Sequence, residues 1–244
     1  GRAVEKSTTY TMGTPLALRL LVQGSVCSYL CWSVYWLHTK EGVPGASGFG
    51  GHWRFLTNWS LFLQTGYFVV ATLSSVLEAL GVRAVNTALS KPLAWIFGAI
   101  LVPLTTCVVV MFWALWFQDP HNLIPKHLLG IIPMSFLLHT HLGVGIYLIL
   151  EMMVVPRPYL RGTRRDMLTI TAFLLTYLMW IVLCFHINGY WTYPFLKVVG
   201  YPGLAVAFVA GSAISAFGYF LGRMLHTLRW GTITSNAPTK LKAP

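Results

Sequence analysis

Few ionisable side chains fall inside the apolar stretches of this 244-residue sequence, and two histidines are the most central of them. His139 and His141 lie within the apolar run that ends near Glu151, and His186 lies near the end of the next run. An ionisable group inside a membrane is costly, so each is a functional candidate unless the protein pairs it. A neutral imidazole among apolar groups keeps a free nitrogen lone pair and can act as a general base. Such a base needs a hydroxyl or thiol to activate.

The spacing of these residues argues against a haem or a metal site. Residues two apart on a helix point about 200° apart, so His139 and His141 cannot both face one site, and one is expected to bond a neighbouring helix. His186 is expected roughly 15 Å nearer the outer surface than His141, which disfavours haem held by two histidines. The cysteines show no zinc-binding spacing, so we expect free thiols, no metal and no cofactor. These are Cys27, Cys31, Cys107 and Cys184.

The composition indicates which elements must position the histidines. Apolar residues make up 56% of the chain and charged residues only 9%, against roughly 25% in soluble domains. The predicted class is therefore an all-α, polytopic membrane protein, because a crossing needs about 20 apolar residues and backbone in lipid must pair within its own segment. We predict one six-transmembrane-helix bundle over residues 1–230 and a loose tail at 231–244. The spans are Leu16–Leu37, Phe55–Leu80, Leu93–Phe117, Leu128–Met153, Met167–Ile187 and Val198–Leu225.

The distribution of basic residues predicts the orientation. Twelve of the 17 lysines and arginines lie near one set of span ends, four lie near the other, and Arg19 lies within the first span. Because basic residues concentrate on the cytoplasmic side, both termini are predicted to be cytosolic. This asymmetry and anionic lipid headgroups explain the net charge of +11, so membrane lipids are expected as partners and nucleic acid is not.

Small residues recur along the sixth span. Gly218 and Gly222 form a G-x-x-x-G pattern, and Gly211 and Ser215 precede them on the same span. Small residues at these intervals allow helix backbones to approach closely, so we expect tight packing against a neighbouring helix.

Several short motifs follow one another in an informative order. The first is W-R-F-L-T after a glycine pair, and the last is Y-P-F-L after a glycine and a tryptophan. The motifs are Trp53–Thr57, Pro125-Lys126 with Pro133, Glu151-Met152 and Tyr193–Leu196. This order resembles the androgen-induced protein family, which includes the androgen-dependent regulator of tissue factor pathway inhibitor, over roughly residues 20 to 230.

The resemblance implies an enzyme. Members of that family are described as membrane-embedded threonine hydrolases that cleave fatty acid esters of hydroxy fatty acids. The threonine of the first motif, the implied nucleophile, is Thr57. The implied base is the histidine sixteen residues after Pro125 and ten before Glu151, which is His141. The implied partners are a lipid ester substrate and a fatty acid product, with no cofactor.

This sequence departs from the family pattern around the base. Relatives often read N-H-x-x-H-T, whereas Leu137-Leu138 replace the first pair here and Leu142 follows the aligned histidine. His139-Thr140 supplies a His-Thr pair two residues early, so His139 is the alternative base. A slip of two residues would turn the side chain away, which favours His141.

Depth is the main difficulty for a Thr57–His141 pair. Thr57 is two to four residues inside span two, and His141 is about thirteen residues inside span four, a difference of roughly 13–16 Å. Contact requires that span two begin below the surface, or that the Gly42–Gly51 loop dip inward. Otherwise Thr65, two turns deeper, is the substitute nucleophile. No acidic residue stands out to orient the imidazole, and the oxyanion donors are unassigned.

The sequence also bears on two other functions and on the cellular location of the protein. A transporter would show polar groups along a path through several spans and an inverted repeat, and neither is visible. A non-enzymatic scaffold or regulator stays open as an alternative. Lys240 and Lys242 before Pro244 resemble a dilysine retrieval signal. If Pro244 is the natural end, they predict the endoplasmic reticulum, with the plasma membrane as the alternative.

Overall fold

The computed structural model describes residues 14–40, 47–124, 131–159 and 162–231, and these residues form helices and connecting turns without a strand. Among these described residues, six helices are long and apolar enough to cross a membrane, so the predicted six-span, all-α architecture is confirmed. Most of their backbone groups pair within the helix, as lipid requires, although the last helix is interrupted at Gly200, whose φ of 55° is not helical. In chain order they are α1 (Leu16–Thr39), α2 (Leu56–Ala79), α3 (Arg83–Trp116), α4 (Met134–Val154), α5 (Thr163–Asn188) and α6 (Leu196–Trp230).

Two helices begin six or more residues from where hydropathy placed them. α3 starts at Arg83, ten residues before the predicted Leu93, because polar residues extend a helix beyond its apolar stretch. α4 starts at Met134, since Pro133 lies before it with extended angles, φ −60° and ψ 139°. The six residues 125–130, which the predicted span partly included, lie outside the described residues.

The small residues of α6 bring it close to α3. A Cβ atom added to Gly218 would lie 2.5 Å from the Thr106 hydroxyl oxygen, and one added to Gly211 would lie 3.3 Å from the Cys107 sulfur. Real side chains could not occupy the first position without moving the helices apart. The close packing predicted from the G-x-x-x-G pattern is confirmed, and α3 and α6 form one wall of the bundle.

A segment before α2, Ser47–Phe55, folds over one end of the bundle, and we call it the cover segment. Arg54 within it is only 4% exposed. The Arg54 guanidinium donates hydrogen bonds to the Ser47 carbonyl and the Tyr190 hydroxyl, each at 2.9 Å. Phe49 exchanges two backbone hydrogen bonds with the Asn188 side chain, at 2.8 and 3.0 Å. Hence α2 begins beneath other residues, at what we call the Trp53 end.

The opposite end, here the Arg157 end, is held by a buried network of charged and polar groups. Glu151, fully buried, accepts hydrogen bonds from Arg157 at 2.9 and 3.1 Å and from the Tyr67 hydroxyl at 2.7 Å. The Gln23 amide also donates to it, at 3.0 Å. This Glu151 network (Gln23, Tyr67, Glu151 and Arg157) joins α1, α2 and α4, so Glu151 is a paired bundle residue.

Candidate active site

The structure brings the hydroxyl of α2 and the imidazole of α4 together. The Thr57 Oγ1 atom lies 3.1 Å from His141 Nε2, within hydrogen-bond distance. Thr57 is the second residue of α2, and its side chain is half-buried, whereas His141 is 8% exposed. The spatial requirement for a nucleophile and its base is therefore met.

The late start of α4 and the cover segment remove the expected difference in depth. His141 is seven residues beyond Met134, instead of about thirteen beyond Leu128. Arg54, three residues before Thr57, is already buried, so α2 begins inside the protein. This corresponds to the first of the two arrangements that could allow contact. Residues 42–46 of the Gly42–Gly51 loop, on which the second arrangement depends, lie outside the described residues.

Hydrogen bonds fix which nitrogen of His141 carries the proton. Its Nδ1 lies 3.0 Å from the Leu137 carbonyl oxygen and 3.0 Å from the Thr140 hydroxyl, which itself donates to the Phe136 carbonyl at 2.9 Å. A carbonyl can only accept, so Nδ1 carries the hydrogen and donates it. The Nε2 atom then has its lone pair toward Thr57 and accepts the hydroxyl proton. This is the geometry of a general base next to a nucleophile.

Aromatic side chains of α3 hold the imidazole in place. The Phe112 ring stacks on it with 3.5 Å between centroids and 19° between planes. The Trp113 indole donates to the His141 carbonyl at 3.1 Å. That carbonyl belongs to a π-helical turn, His139–Gly143, of the kind that often occurs at functional sites. The ring is therefore fixed in both plane and position.

The alternative residues are not brought to this site. His139 faces α1, where its Nε2 lies 2.6 Å from the Ser33 hydroxyl, and its Nδ1 lies 2.8 Å from the Tyr147 hydroxyl. The two histidines diverge, as their spacing predicts. Thr65 donates its hydroxyl proton to the Leu61 carbonyl of its own helix at 2.7 Å.

The described residues offer little to a metal ion. They contain no group of three or more His, Cys, Asp or Glu side chains that could hold one. The four cysteines are free, with Cys107 and Cys184 buried. His186 lies 3.0 Å from the Tyr201 hydroxyl, away from the α4 histidines.

An apolar cleft, here the chamber, opens beside Thr57, and its space is about 820 Å³ when its open side is counted. It lies between α2, α3, α5 and α6, and aliphatic and aromatic side chains form most of its wall. Phe112 separates His141 from it, so the hydroxyl faces the chamber and the imidazole approaches from behind. Such a lining suits an apolar chain better than a polar substrate.

Two tyrosines in the chamber wall fix the first turn of α2. The Leu56 amide donates to the Tyr193 hydroxyl at 3.1 Å, and the Tyr177 hydroxyl donates to the Arg54 carbonyl at 2.9 Å. The two hydroxyls lie 3.0 Å apart. Burial raises the pKa of Tyr193, so its hydroxyl stays protonated at neutral pH. The Tyr193–Leu196 motif thus has a position beside Thr57, whereas nothing in the sequence distinguished Tyr177.

The start of α2 also provides a possible oxyanion donor. The Thr57 amide lies in the first turn, where a helix supplies no acceptor of its own, and helix N-termini carry partial positive charge. Asn58, the next residue along the chain, instead donates its side-chain amide to the His52 carbonyl at 2.8 Å. The main-chain N–H is therefore the better candidate.

Comparisons with known proteins agree with this architecture. A family model described as FAR-17a/AIG1-like protein matches residues 17–227. The chain is 31% identical to androgen-induced gene 1 protein of Homo sapiens, over 92% of this chain and 95% of that protein. It is 28% identical to androgen-dependent TFPI-regulating protein of Homo sapiens, covering 86% and 96%. A membrane protein of Schizosaccharomyces pombe is 23% identical, covering 86% and 90%.

None of the solved structures searched matches the chain. The family is shown by sequence, since its model spans nearly all of the six helices and one relative shares 31% of its residues along almost its full length. The chain therefore belongs to the FAR-17a/AIG1-like family of membrane proteins.

Proposed function

We propose that this protein is an intramembrane hydrolase of lipid esters, with Thr57 as nucleophile and His141 as general base. The observation that carries the proposal is the 3.1 Å contact between Thr57 Oγ1 and His141 Nε2, with Nδ1 donating to the Leu137 carbonyl. The proposed substrates are fatty acid esters of hydroxy fatty acids, in keeping with the family resemblance and the apolar chamber.

The proposed reaction has two halves that use the same pair. His141 Nε2 takes the Thr57 hydroxyl proton as Oγ1 attacks the ester carbonyl carbon, and the first-turn amide of α2 stabilises the oxyanion. The intermediate collapses, His141 returns the proton to the departing alkoxide, and the hydroxy fatty acid leaves. Water then loses a proton to His141 and attacks the acyl-threonine. The fatty acid is released, and Thr57 regains its proton.

Location and topology belong to the same proposal. We propose that both termini are cytosolic, because twelve of the 17 basic residues lie on that side. The membrane is that of the endoplasmic reticulum or the plasma membrane. Lys240 and Lys242, which favour the former, lie outside the described residues. A lipid ester would reach the chamber from within the bilayer.

The decisive test combines hydrolysis and labelling of the purified protein. Thr57→Ala and His141→Ala should each lower hydrolysis of a fatty acid ester of a hydroxy fatty acid by at least ~10²-fold, the usual contribution of a general base. A fluorophosphonate probe should label the wild type and spare Thr57→Ala. Thr65→Ala is the matched control and should keep both activities, because its hydroxyl is bonded to its own helix.

The outcomes separate the proposed functions. Unchanged hydrolysis in folded Thr57→Ala protein would remove Thr57 from the mechanism, and the same result for His141→Ala would remove the base. A wild-type protein that binds the ester without cleaving it, and is not labelled, would favour a scaffold or a transporter instead.

A further inference from the structure

The chamber extends lengthwise between the helices of the bundle. Phe112, which stacks on His141, lies at its Thr57 side, and Cys107 lines it five residues earlier on α3, roughly 8 Å away along the helix. Since α3 runs from the Arg157 end toward the Trp53 end, the chamber extends from Thr57 toward the middle of the bundle. On α6, its lining reaches from Leu196 to Gly211.

The chamber ends where α3, α5 and α6 meet. Gly211 lies so close to α3 that a Cβ atom there would be 3.3 Å from the Cys107 sulfur. Leu174 of α5, which is buried, completes this floor. A second, narrow cleft with room for about one water molecule lies beyond it, lined by Leu104 and Ile170 among others, and Leu174 lines both cavities. Leu174 is therefore the partition between them.

The position of the base decides which part of an ester points into the chamber. The departing alkoxide must receive its proton from His141 Nε2, which lies behind Phe112 on the α4 side of Thr57. The acyl group extends away from the departing oxygen, and the space available on that side of Thr57 is the chamber. The acyl chain, rather than the alcohol, thus meets the floor.

We propose that the floor formed by Leu174, Cys107 and Gly211 sets the length of the acyl chain that Thr57 accepts. This inference rests on the proposed function and deepens it. An acyl chain that is longer than the chamber must bend or pass the partition. Each methylene group that does not fit then makes the binding free energy less favourable. Ala207, one turn before Gly211 on the same wall, controls how much of the chamber is open.

Two substitutions should move the chain-length limit in opposite directions. Ala207→Phe fills the chamber, so the ratio of long-chain to short-chain turnover should fall at least about tenfold, since a methylene in an apolar pocket is worth roughly 10- to 200-fold. Leu174→Ala joins the two cavities and should raise that ratio. Ala205→Phe is the matched control, because Ala205 is exposed on the outer face of α6. The rates are measured with p-nitrophenyl esters from acetate to palmitate.

A binding measurement keeps this test separate from that of the proposed function. In Thr57→Ala protein, which cannot form an acyl-threonine, fatty acids of graded length compete with a fluorescent fatty acid. Ala207→Phe should weaken the longer competitors selectively, whether or not the ester is cleaved. A chain-length profile that stays as in the parent protein in both Ala207→Phe and Leu174→Ala would overturn the inference. If Ala207→Phe shifts the chain-length profile of binding but ester turnover does not depend on Thr57, only the proposed hydrolase function is overturned.

Discussion

His139 and His141 are separated by one residue and both are buried, yet their nitrogens have different tasks. Both nitrogens of His139 are engaged by hydroxyls, at 2.6 Å from Ser33 and 2.8 Å from Tyr147. His141 uses one nitrogen on a carbonyl and presents the other to Thr57. The hydrogen-bond partners of the two side chains therefore make His141 the candidate base and His139 a link between helices.

This difference predicts a stability effect without a catalytic one. His139→Gln should lower the free energy of unfolding by about 1 kcal/mol for each hydrogen bond lost, while kcat on a lipid ester stays within a few-fold of the parent. Thermal unfolding in detergent and steady-state kinetics measure the two quantities. Ser33→Ala removes one of the same bonds from the other side and should behave alike. Abolished turnover in a folded His139→Gln protein would make His139 the base.

The sequence predicted some residues of this site and could not predict others. The roles of Thr57 and His141 were implied by the resemblance to a known family, and motif order and residue counts located the two positions in this sequence. The group that orients His141 could not be predicted, because no acidic side chain stands out in the sequence and the acceptor is the Leu137 carbonyl. Every residue has such an oxygen, so only geometry identifies the one in use.

At the scale of elements, the site depends on how α2 begins. The cover segment lies over the helix start, and Tyr193 and Tyr177 bond to backbone groups on either side of Phe55. The Thr57 side chain projects from the turn that these bonds hold. A small rotation of that turn would change the 3.1 Å contact with His141.

Loss of one hydroxyl should therefore impair turnover more than substrate binding. Tyr193→Phe removes the acceptor of the Leu56 amide, and we expect kcat to fall ~10- to 100-fold with KM little changed, as misplacement of a reacting group does. Tyr201→Phe is the control, because its hydroxyl bonds His186 on an exposed surface. An equal effect of both changes, or an effect on KM alone, would contradict a role in positioning Thr57.

Element boundaries were less predictable than element number. Hydropathy located six crossings because each needs an apolar stretch, but it does not report hydrogen bonding, so the polar start of α3 at Arg83 was missed. It also placed α4 six residues early, and that error created most of the apparent depth difference between Thr57 and His141. Pro133 was visible in the sequence and marks the true start.

At the scale of the whole molecule, the two ends have different compositions. The Trp53 end holds the chamber, the cover segment and the candidate catalytic pair. The Arg157 end holds the Glu151 network, where a fully buried carboxylate is paired with a guanidinium and two neutral donors. We infer that the Arg157 end contributes stability to the bundle on which the other end depends.

Breaking the charge pair should destabilise the entire bundle. Arg157→Met leaves Glu151 buried without its cation, and loss of one partner of a buried pair costs about 3–5 kcal/mol. Adding Glu151→Gln removes the uncompensated charge and should recover part of that loss. Thermal unfolding followed by tryptophan fluorescence measures both, with exposed Arg83→Met as control. A double variant no more stable than Arg157→Met would argue against the charge pair as the cause.

The Leu137 carbonyl that holds His141 has a consequence for how such a site can be recognised. A main-chain oxygen survives every side-chain replacement, so alanine scanning of this protein could remove the two side chains of the proposed mechanism but never the third group. Searches that match three side chains in space, as in serine hydrolases, would pass over the arrangement for the same reason. Templates for the proposed kind of hydrolase site should therefore pair two side chains with one peptide oxygen, four residues before the histidine on the same helix.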